Sequence, residues 1–339
     1  MNSTREPNLS IVIPVYNGAC YLGSTLESLL SEEYSDFEVV LSDDCSTDAT
    51  EAAIRSIADE RVRFRRNPTN LGYPGNLAAA IGEARGKLVM LFAQDDILVK
   101  GALQRTVDAF RYTPDVGVVT RPYYWFEHDV TIPIRQVPPY DPKADAVLSL
   151  YDGPRAIAAL FTSFGQLSGL AVRRSLMTVP CHPYVFTAHI APIAGILRNY
   201  QGVFLSDVTV AVRVTSSQTR DHPEIYSPTP LGTWIQLGDD IFSSPDVSAV
   251  REQYRTFLGS TNHVGLIQLR NHAPFRILLD EMRLFVTLRP ANLVDPRFIL
   301  PAITALTVPR RVLRPLTDWF KRFVLGPWIR HSGEKRPRL

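Results

Sequence analysis

The chain has 339 residues, 45% of them hydrophobic and 21% charged, with a formal net charge of +2; that apolar content suffices for one large core or two ordinary ones and excludes a disordered chain. Its three cysteines, Cys20, Cys45 and Cys181, are too few and too scattered for a disulfide framework or a paired-thiolate metal site, and they fit a reducing compartment. No stretch reaches the roughly 18 apolar residues of a membrane span, and the opening MNSTREPNLSIVIPVYNG has no apolar run of signal-peptide length, so a cytoplasmic location is expected.

Residues 9 to 120 alternate short apolar runs with helix-period segments, the pattern of βα units that feed a parallel sheet. Strands are expected at LSIVIP (9 to 14), FEVVLS (37 to 42), VRFRR (62 to 66), KLVMLF (87 to 92) and from Val116 to Thr120. Leu22, Leu26, Leu29 and Leu30 recur at helical spacing between the first two, and Asp48 with Glu51 reads as a capping box opening the next helix. Further helices are expected from Gly75 to Ala84 and from Gly101 to Phe110.

From 121 to 150 the rhythm breaks into an aromatic and proline-rich stretch, expected to be a long functional loop or an irregular hairpin. Its Tyr123-Tyr124-Trp125-Phe126-Glu127-His128 run suits either an acceptor sugar stacked on aromatic rings or core packing beneath a loop. Helical spacing returns at 153 to 162, 186 to 200 and 249 to 286, with a strand expected from Val203 to Val214.

From Arg310 onward, nine Lys or Arg face only Asp318 and Glu334, so this tail carries +7 and the preceding 309 residues −5. Val312, Leu313, Leu316, Trp319, Phe320, Phe323 and Val324 fall on one helical face, with Arg311, Arg314, Lys321 and Arg322 off it. Such a helix either lies in an anionic membrane surface or docks on the rest of the chain with its charges solvated. No nucleic-acid reader motif accompanies it, and no nucleic-acid partner is expected.

Ligands of a doubly wound sheet sit beyond the carboxyl ends of its strands. Three polar clusters fall there: Pro14-Val15-Tyr16-Asn17-Gly18, Ser42-Asp43-Asp44-Cys45-Ser46-Thr47-Asp48, and Gln94-Asp95-Asp96. Asp48 reads as a helix cap. Two acidic pairs on one edge repel unless a cation is present, and Mg²⁺ or Mn²⁺ commonly takes one or two carboxylates and leaves positions for phosphate oxygens and water.

IVIPVYNG (11 to 18), VVLSDDCSTDAT (39 to 50), NPTNLGYPGNLAAAIGEARGKLVMLF (67 to 92) and AQDD (93 to 96), in this order and spacing, resemble a family 2 glycosyltransferase of the GT-A fold. The resemblance is tight from 9 to about 120 and looser to about 215. It implies an α/β fold, a Rossmann-like and mostly parallel sheet flanked by helices, in a GT-A domain over 1–215. That domain would comprise a donor-binding half, 1–120, and an acceptor half, 121–215. A mainly helical region, 216–339, would follow and end in the basic tail 310–339. It further implies that Pro14, Val15 and Asp44 contact the nucleotide base, with Asn17 in the same donor site. Asn70 and Asn76 would line the donor side, Asp95 would lie near the ribose, and Asp96, with Asp95, would hold the metal.

The chain departs from the family pattern twice. Ala93 stands where many relatives have an acid. SGLAVRRSLM (168 to 177) and GILRNYQG (195 to 202) match the second half of the pattern, but counting back from Arg198 puts Ala191-Pro192 where the acidic pair bearing the catalytic base belongs. His189, one helical turn earlier, is either a substitute base or a buried structural histidine; Asp207 and Asp221 are the nearest acids.

The expected function is an inverting, metal-dependent transfer of a sugar from a nucleotide-diphosphate donor, UDP- or dTDP-type, to a hydroxyl of a glycan or lipid-linked acceptor in surface polysaccharide or glycolipid synthesis. The protein would be cytoplasmic, or peripheral at the inner face of the membrane through its tail. One alternative is a non-catalytic nucleotide-sugar-binding or scaffold subunit. A nucleotidyltransferase would require a basic glycine-rich loop that VYNGACYLG lacks.

Overall fold

The computed structural model describes residues 6–214 and 223–320. These fall into two compact units, one of residues 6–149 and 159–214, the other of 150–158 and 223–320.

The first unit is built on an eight-stranded sheet. β1 (Leu9–Val15), β2 (Phe37–Asp43) and β4 (Leu88–Leu91) are buried along almost their whole length, which is why they read as unbroken apolar runs rather than alternating ones. β1 pairs in parallel with both neighbours, Val15 opposite Asp43 on one side and Val12 opposite Leu91 on the other. β3 (Val62–Arg66) extends the parallel set beyond β2. The crossover helices are α1 (Leu22–Leu30), α2 (Thr50–Arg55) and α3 (Gly72–Gly82), and α4 (Ala102–Ala109) leads into β6 (Val116–Thr120). Leu22, Leu26 and Leu29 of α1 are all buried. The order continues through β10 (Leu170–Arg173), antiparallel to β4 and β6, then β6, β11 (Gln201–Phe204) and β9 (Ala146–Leu148).

A second sheet of four strands has the order β5 (Ile97–Leu98), β12 (Val210–Arg213), β7 (Tyr123–Phe126) and β8 (Arg135–Val137). The aromatic stretch is thus strand β7 of a hairpin with β8. Tyr123, Tyr124 and Phe126 are core, and only Trp125 stays half-buried, beneath the Arg135 guanidinium at 3.6 Å. Core packing decides those three residues.

Three expectations need correction. The single strand expected from Val203 to Val214 is two strands in different sheets. Asp145 accepts from both the backbone N–H and the hydroxyl of Ser206, at 2.7 and 2.8 Å, and pins the turn between them. The helix expected over 186 to 200 shrinks to α6 (Ile190–Leu197). Finally, Asp48 binds the Thr50 N–H at 3.0 Å while Glu51 pairs outward with Arg55 and Arg66, so there is no reciprocal capping box.

The second unit is helical. α5 (Pro154–Ser163) begins in its first segment, and after residue 222 come α7 (Pro230–Ile241), α8 (Ser248–Ser260), α9 (Gly265–His272), α10 (Phe275–Leu288), α11 (Pro296–Thr307) and α12 (Arg310–Phe320). The helical run expected over 249 to 286 is three helices, broken where Asn262 takes a left-handed φ of 59° and where Pro274 precedes α10. Thr229 caps α7 with Pro230 in its first position, and Asp295 caps α11 with Pro296 there. His263 packs edge-on against Phe285 and Phe298 at 5.0 and 5.4 Å. Among the described residues no helix is long and apolar enough to cross a membrane.

Candidate active site

Because β2, β1 and β4 are adjacent and parallel, their carboxyl ends share one rim, and the polar clusters that follow them meet there. Asp44 lies directly after β2. Its backbone N–H donates to the Val15 carbonyl at 2.8 Å, locking the two strand ends together. Its Oδ1 accepts from the Asn67 amide at 2.9 Å and from the Leu71 N–H at 2.8 Å, holding a buried carboxylate at the rim. Asp43 points the other way, buried, bound to Ser46 and paired with Arg66 at 3.2 Å.

Asn17, exposed and with a left-handed φ of 48°, ties the first loop to the second. Its Oδ1 accepts from the Thr47 N–H at 2.9 Å, and its own N–H donates to Ser46 Oγ at 2.8 Å. Pro14 is half-buried beside it. Val15 has a fully buried side chain and a carbonyl already taken by Asp44, so its part in any base contact is positional.

The two asparagines separate. Asn70 is exposed, accepts from the Gly72 N–H at 2.9 Å and turns the chain into α3. Asn76 is buried: its amide nitrogen donates to the carbonyls of Ser42 at 2.9 Å and Val15 at 3.3 Å, and its oxygen accepts from Asn67 at 3.0 Å. Asn76 therefore ties strand ends together at the rim where it was expected to line the donor side.

After β4 the chain turns through Gln94. Its side-chain amide closes on Tyr16 from both ends, accepting the Tyr16 N–H at 2.9 Å and donating to the Tyr16 carbonyl at 3.0 Å. Gly18 makes room for this clamp, since a Cβ there would lie 2.5 Å from the Gln94 oxygen.

Asp96 is 1% exposed. Its Oδ2 accepts from the Ser168 hydroxyl at 2.6 Å and its Oδ1 from the Arg213 N–H at 2.9 Å. Burial first, then the neighbouring Asp95 charge, pushes its carboxyl well above the usual range. Arg121, fully buried, donates to the carbonyls of Ser168, Gln166 and Ser163 at 2.6, 2.8 and 3.1 Å, and burial pushes it down to about 10. It holds the loop that carries Ser168. Asp95 is half-buried, and its carbonyl accepts from Arg213 Nε at 3.1 Å.

No group of three acidic, histidine or cysteine side chains is arranged to hold a metal ion among the described residues. The donor set does not suit an all-protein cage. It suits an ion resting on one carboxylate and completed by phosphate oxygens and water. Each Asp96 oxygen takes one hydrogen bond and keeps a further lone pair, and Asp95 is the more exposed of the two carboxylates.

His189 lies in the interior, ahead of the apolar α6. Its Nε2 is 2.8 Å from the Phe164 carbonyl, to which it donates, and its Nδ1 is 3.3 Å from the Tyr73 hydroxyl. Burial pushes it down to about 4. Of the two expectations, substitute base or buried structural histidine, these surroundings favour the second, since burial leaves the imidazole a weak base and its Nε2–H is spent on the Phe164 carbonyl. Ala191 and Pro192 are buried in an apolar α6, and no Asp or Glu occurs between Arg174 and Ser206. Asp207 is exposed and 3.3 Å from Arg105; Asp221 lies outside the described residues.

Sequence reasoning missed Asn67, Arg121, Ser168 and Arg213, and it named Gln94 in a polar cluster without giving it a task. Gln94 had a local signal, since it adjoins the Asp pair. Arg121 had none, because a lone arginine after a strand reads as solvated.

Residues 10–161 match a family model described as glycosyl transferase family 2. A succinoglycan biosynthesis protein, ExoO, of Rhizobium meliloti is 37% identical over 104 residues, 31% of this chain and 30% of that protein. A GalNAc(5)-diNAcBac-PP-undecaprenol beta-1,3-glucosyltransferase of Campylobacter jejuni is 30% identical over 100 residues, 29% and 32% of the two chains. The chain thus spans about a third of the length of these curated relatives. Among solved structures, S. aureus TarS 1-349 in complex with UDP superposes with a TM-score of 0.60 at 18% identity, covering 97% of this chain and 93% of that one. That likeness extends to the fold, a GT-A-like mixed sheet flanked by helices with a helical carboxyl-terminal region.

Proposed function

We propose that this chain, whose residues 10–161 belong to glycosyltransferase family 2, moves a sugar with inversion from a nucleotide-diphosphate donor to an acceptor hydroxyl in surface polysaccharide or glycolipid synthesis. The observation that carries the reading is the meeting of Asp44, the Pro14–Asn17 loop and the Asp95–Asp96 pair along one rim of β2, β1 and β4. Residues 1–120 then bind the donor, 121–215 shape the acceptor side, and 216–339 follow as an extension, of which the described residues 223–320 are helical.

Each rim residue has a physical task in this reading. Both of the bonds that fix Asp44 end on Oδ1, which leaves Oδ2 to accept the N–H of a uracil or thymine ring. Asn17 and Pro14 shape the wall beside the base, and Asn70 sits at the mouth. Asp95 reaches the ribose and diphosphate end, and Asp96 fixes the turn from which Asp95 projects. A bound Mg²⁺ or Mn²⁺ would rest on Asp95 and supply Lewis-acid stabilisation of the departing diphosphate. Arg213, anchored by its Nε to the Asp95 carbonyl, adds a fixed positive charge near the same point.

Titration calorimetry with UDP, dTDP and GDP, with and without Mn²⁺, tests the donor assignment. The pyrimidine diphosphates should bind at least tenfold more tightly than GDP, and Asp44→Ala should erase that preference. Equal affinity for all three would sink it.

One observation favours a second reading. The position expected to bear the catalytic base is Ala191-Pro192, buried in an apolar helix. A chain that keeps the donor pocket and lacks a base would serve as a nucleotide-sugar-binding subunit of a glycan assembly complex. Donor binding without hydrolysis or transfer, for any sugar nucleotide, would decide for it.

A further inference from the structure

The helical unit carries an unusual surface. Of the fourteen large apolar side chains exposed among the described residues, seven lie between 293 and 316: Leu293, Val294, Leu300, Ile303, Leu306, Val312 and Leu316. Scattered exposed apolar residues need no explanation, but half of them in 24 residues do. Val294 and Leu300 are 78% and 66% exposed, so these groups are not partly sheltered.

Both helices concerned are already docked by another face. α11 buries Phe298, Ala302 and Ala305 and presents Leu300, Ile303 and Leu306 on its outer side. α12 buries Leu313 and presents Val312 and Leu316, one turn apart. The Asn271 amide on α9 donates to the Thr317 hydroxyl of α12 at 3.2 Å. The apolar ridge is therefore surplus to the packing of the unit. It also corrects the face drawn from helical spacing alone, because Leu313 belongs to the core side and Val312 and Leu316 to the outside. Trp319 and Phe320 have side chains outside the described ones.

The charges along the ridge are mostly positive, with Asp318 following at the end of α12. The segment 289 to 317 contains Arg289, Arg297, Arg310, Arg311 and Arg314 and a single acid, Asp295. Asp295 is already held by Arg289 and Arg297 at 2.7 and 2.8 Å. Arg310, Arg311 and Arg314 are exposed.

We propose that the outer faces of α11 and α12, together with the Pro290–Val294 turn, form a docking surface for an anionic lipid bilayer. Apolar side chains that enter the boundary between headgroups and acyl chains, flanked by arginines that meet lipid phosphates, are what such a surface requires. A second copy of the chain fits worse. A two-fold contact places like surfaces together, and this one would bring two arginine-rich faces against each other. The inference rests on the glycolipid reading above only for its purpose, which is to hold the transfer site beside a lipid-linked acceptor; vesicle binding reports on it without any transfer.

The test is co-sedimentation of the full chain with phosphatidylglycerol–phosphatidylcholine vesicles and with phosphatidylcholine alone. Binding to the anionic vesicles is expected, with at least a tenfold drop in partitioning on neutral ones. Leu300→Glu with Ile303→Glu should reduce partitioning roughly tenfold even with the basic tail intact, and so should Arg310→Ala, Arg311→Ala and Arg314→Ala combined. UDP affinity should be unchanged in both variants, so a failure of the donor assignment and a failure of this one are separable. No sedimentation of the wild-type chain, or full sedimentation of both variants, overturns the proposal. So does a wild-type dimer that ignores vesicles and that Leu300→Glu with Ile303→Glu converts to monomer, since the face would then be a protein interface.

Discussion

Gln94 and Tyr16 hold each other through both ends of one amide, with the Tyr16 N–H at 2.9 Å from the Gln94 oxygen and the Gln94 nitrogen at 3.0 Å from the Tyr16 carbonyl. The pair replaces the strand pairing that stops at Val12 and Leu91, and it carries the register of β1 and β4 past their ends to the rim where the acidic pair begins. Gln94→Ala should cost about 1 to 2 kcal/mol in chemical denaturation, the loss of a hydrogen-bonded pair at a half-buried place. It should also weaken UDP binding by loosening the Asn17 loop. Gln94→Glu should be no better, because a carboxylate cannot donate to the Tyr16 carbonyl and it adds charge beside Asp95.

Asp95 and Asp96 should separate by experiment although they are adjacent. Asp95→Ala removes the half-buried carboxylate and relieves the repulsion that raises Asp96. The Mn²⁺ enhancement of UDP binding should be lost. Asp96→Ala leaves the buried Ser168 hydroxyl and the Arg213 N–H without their acceptor, at about 3 kcal/mol. A stable Asp96→Ala that loses only the metal effect would reverse the two roles.

His189 should show no titration in the neutral range. Burial holds it down to about 4, so the folded protein resists protonating it where the unfolded chain takes a proton near 6.5. Its contribution is complete above that value and is lost as pH falls toward 4, up to about 3 kcal/mol. An NMR titration should find its ring protons unmoved from pH 5.5 to 8. Movement centred near 6.5 would return it to candidacy as a base.

Glu281 should make the helical unit pH-sensitive in the opposite sense. It is buried on α10, and both of its oxygens face the Leu231 N–H at 3.0 to 3.1 Å, at the start of α7. Burial pushes it up to about 7 against an ordinary 4.5. The folded state therefore favours the protonated form. Stability from this group is complete below 4.5 and lost as pH rises through 7, up to about 3 kcal/mol. Melting temperature against pH should fall over that window and flatten in Glu281→Gln. A parallel fall in the variant would exclude Glu281 as the cause.

What the sequence determined by itself was whatever depends on local order. Burial on both faces makes a strand read as an unbroken apolar run, so β1, β2, β4 and β6 were legible to within a residue or so; half-buried β3 was legible from its alternation, and α1, α3 and α4 to within about three. Strand ends were legible too, and in a parallel sheet they share a rim, which placed Asp44 and the Asp95–Asp96 pair together. Only the tertiary structure decided what each side chain meets. Asn76 and Asn70 look alike in sequence, yet one ties strand ends and the other turns a loop. His189 is held by a carbonyl 25 residues away, and Asp96 by Ser168 and Arg213, 72 and 117 residues away. Val203 to Val214 reads as one strand but is divided between two sheets by Asp145. Hydrogen-bond partners distant in the chain leave no periodic trace, so the spacing of residues located the site while the contacts assigned its members their work.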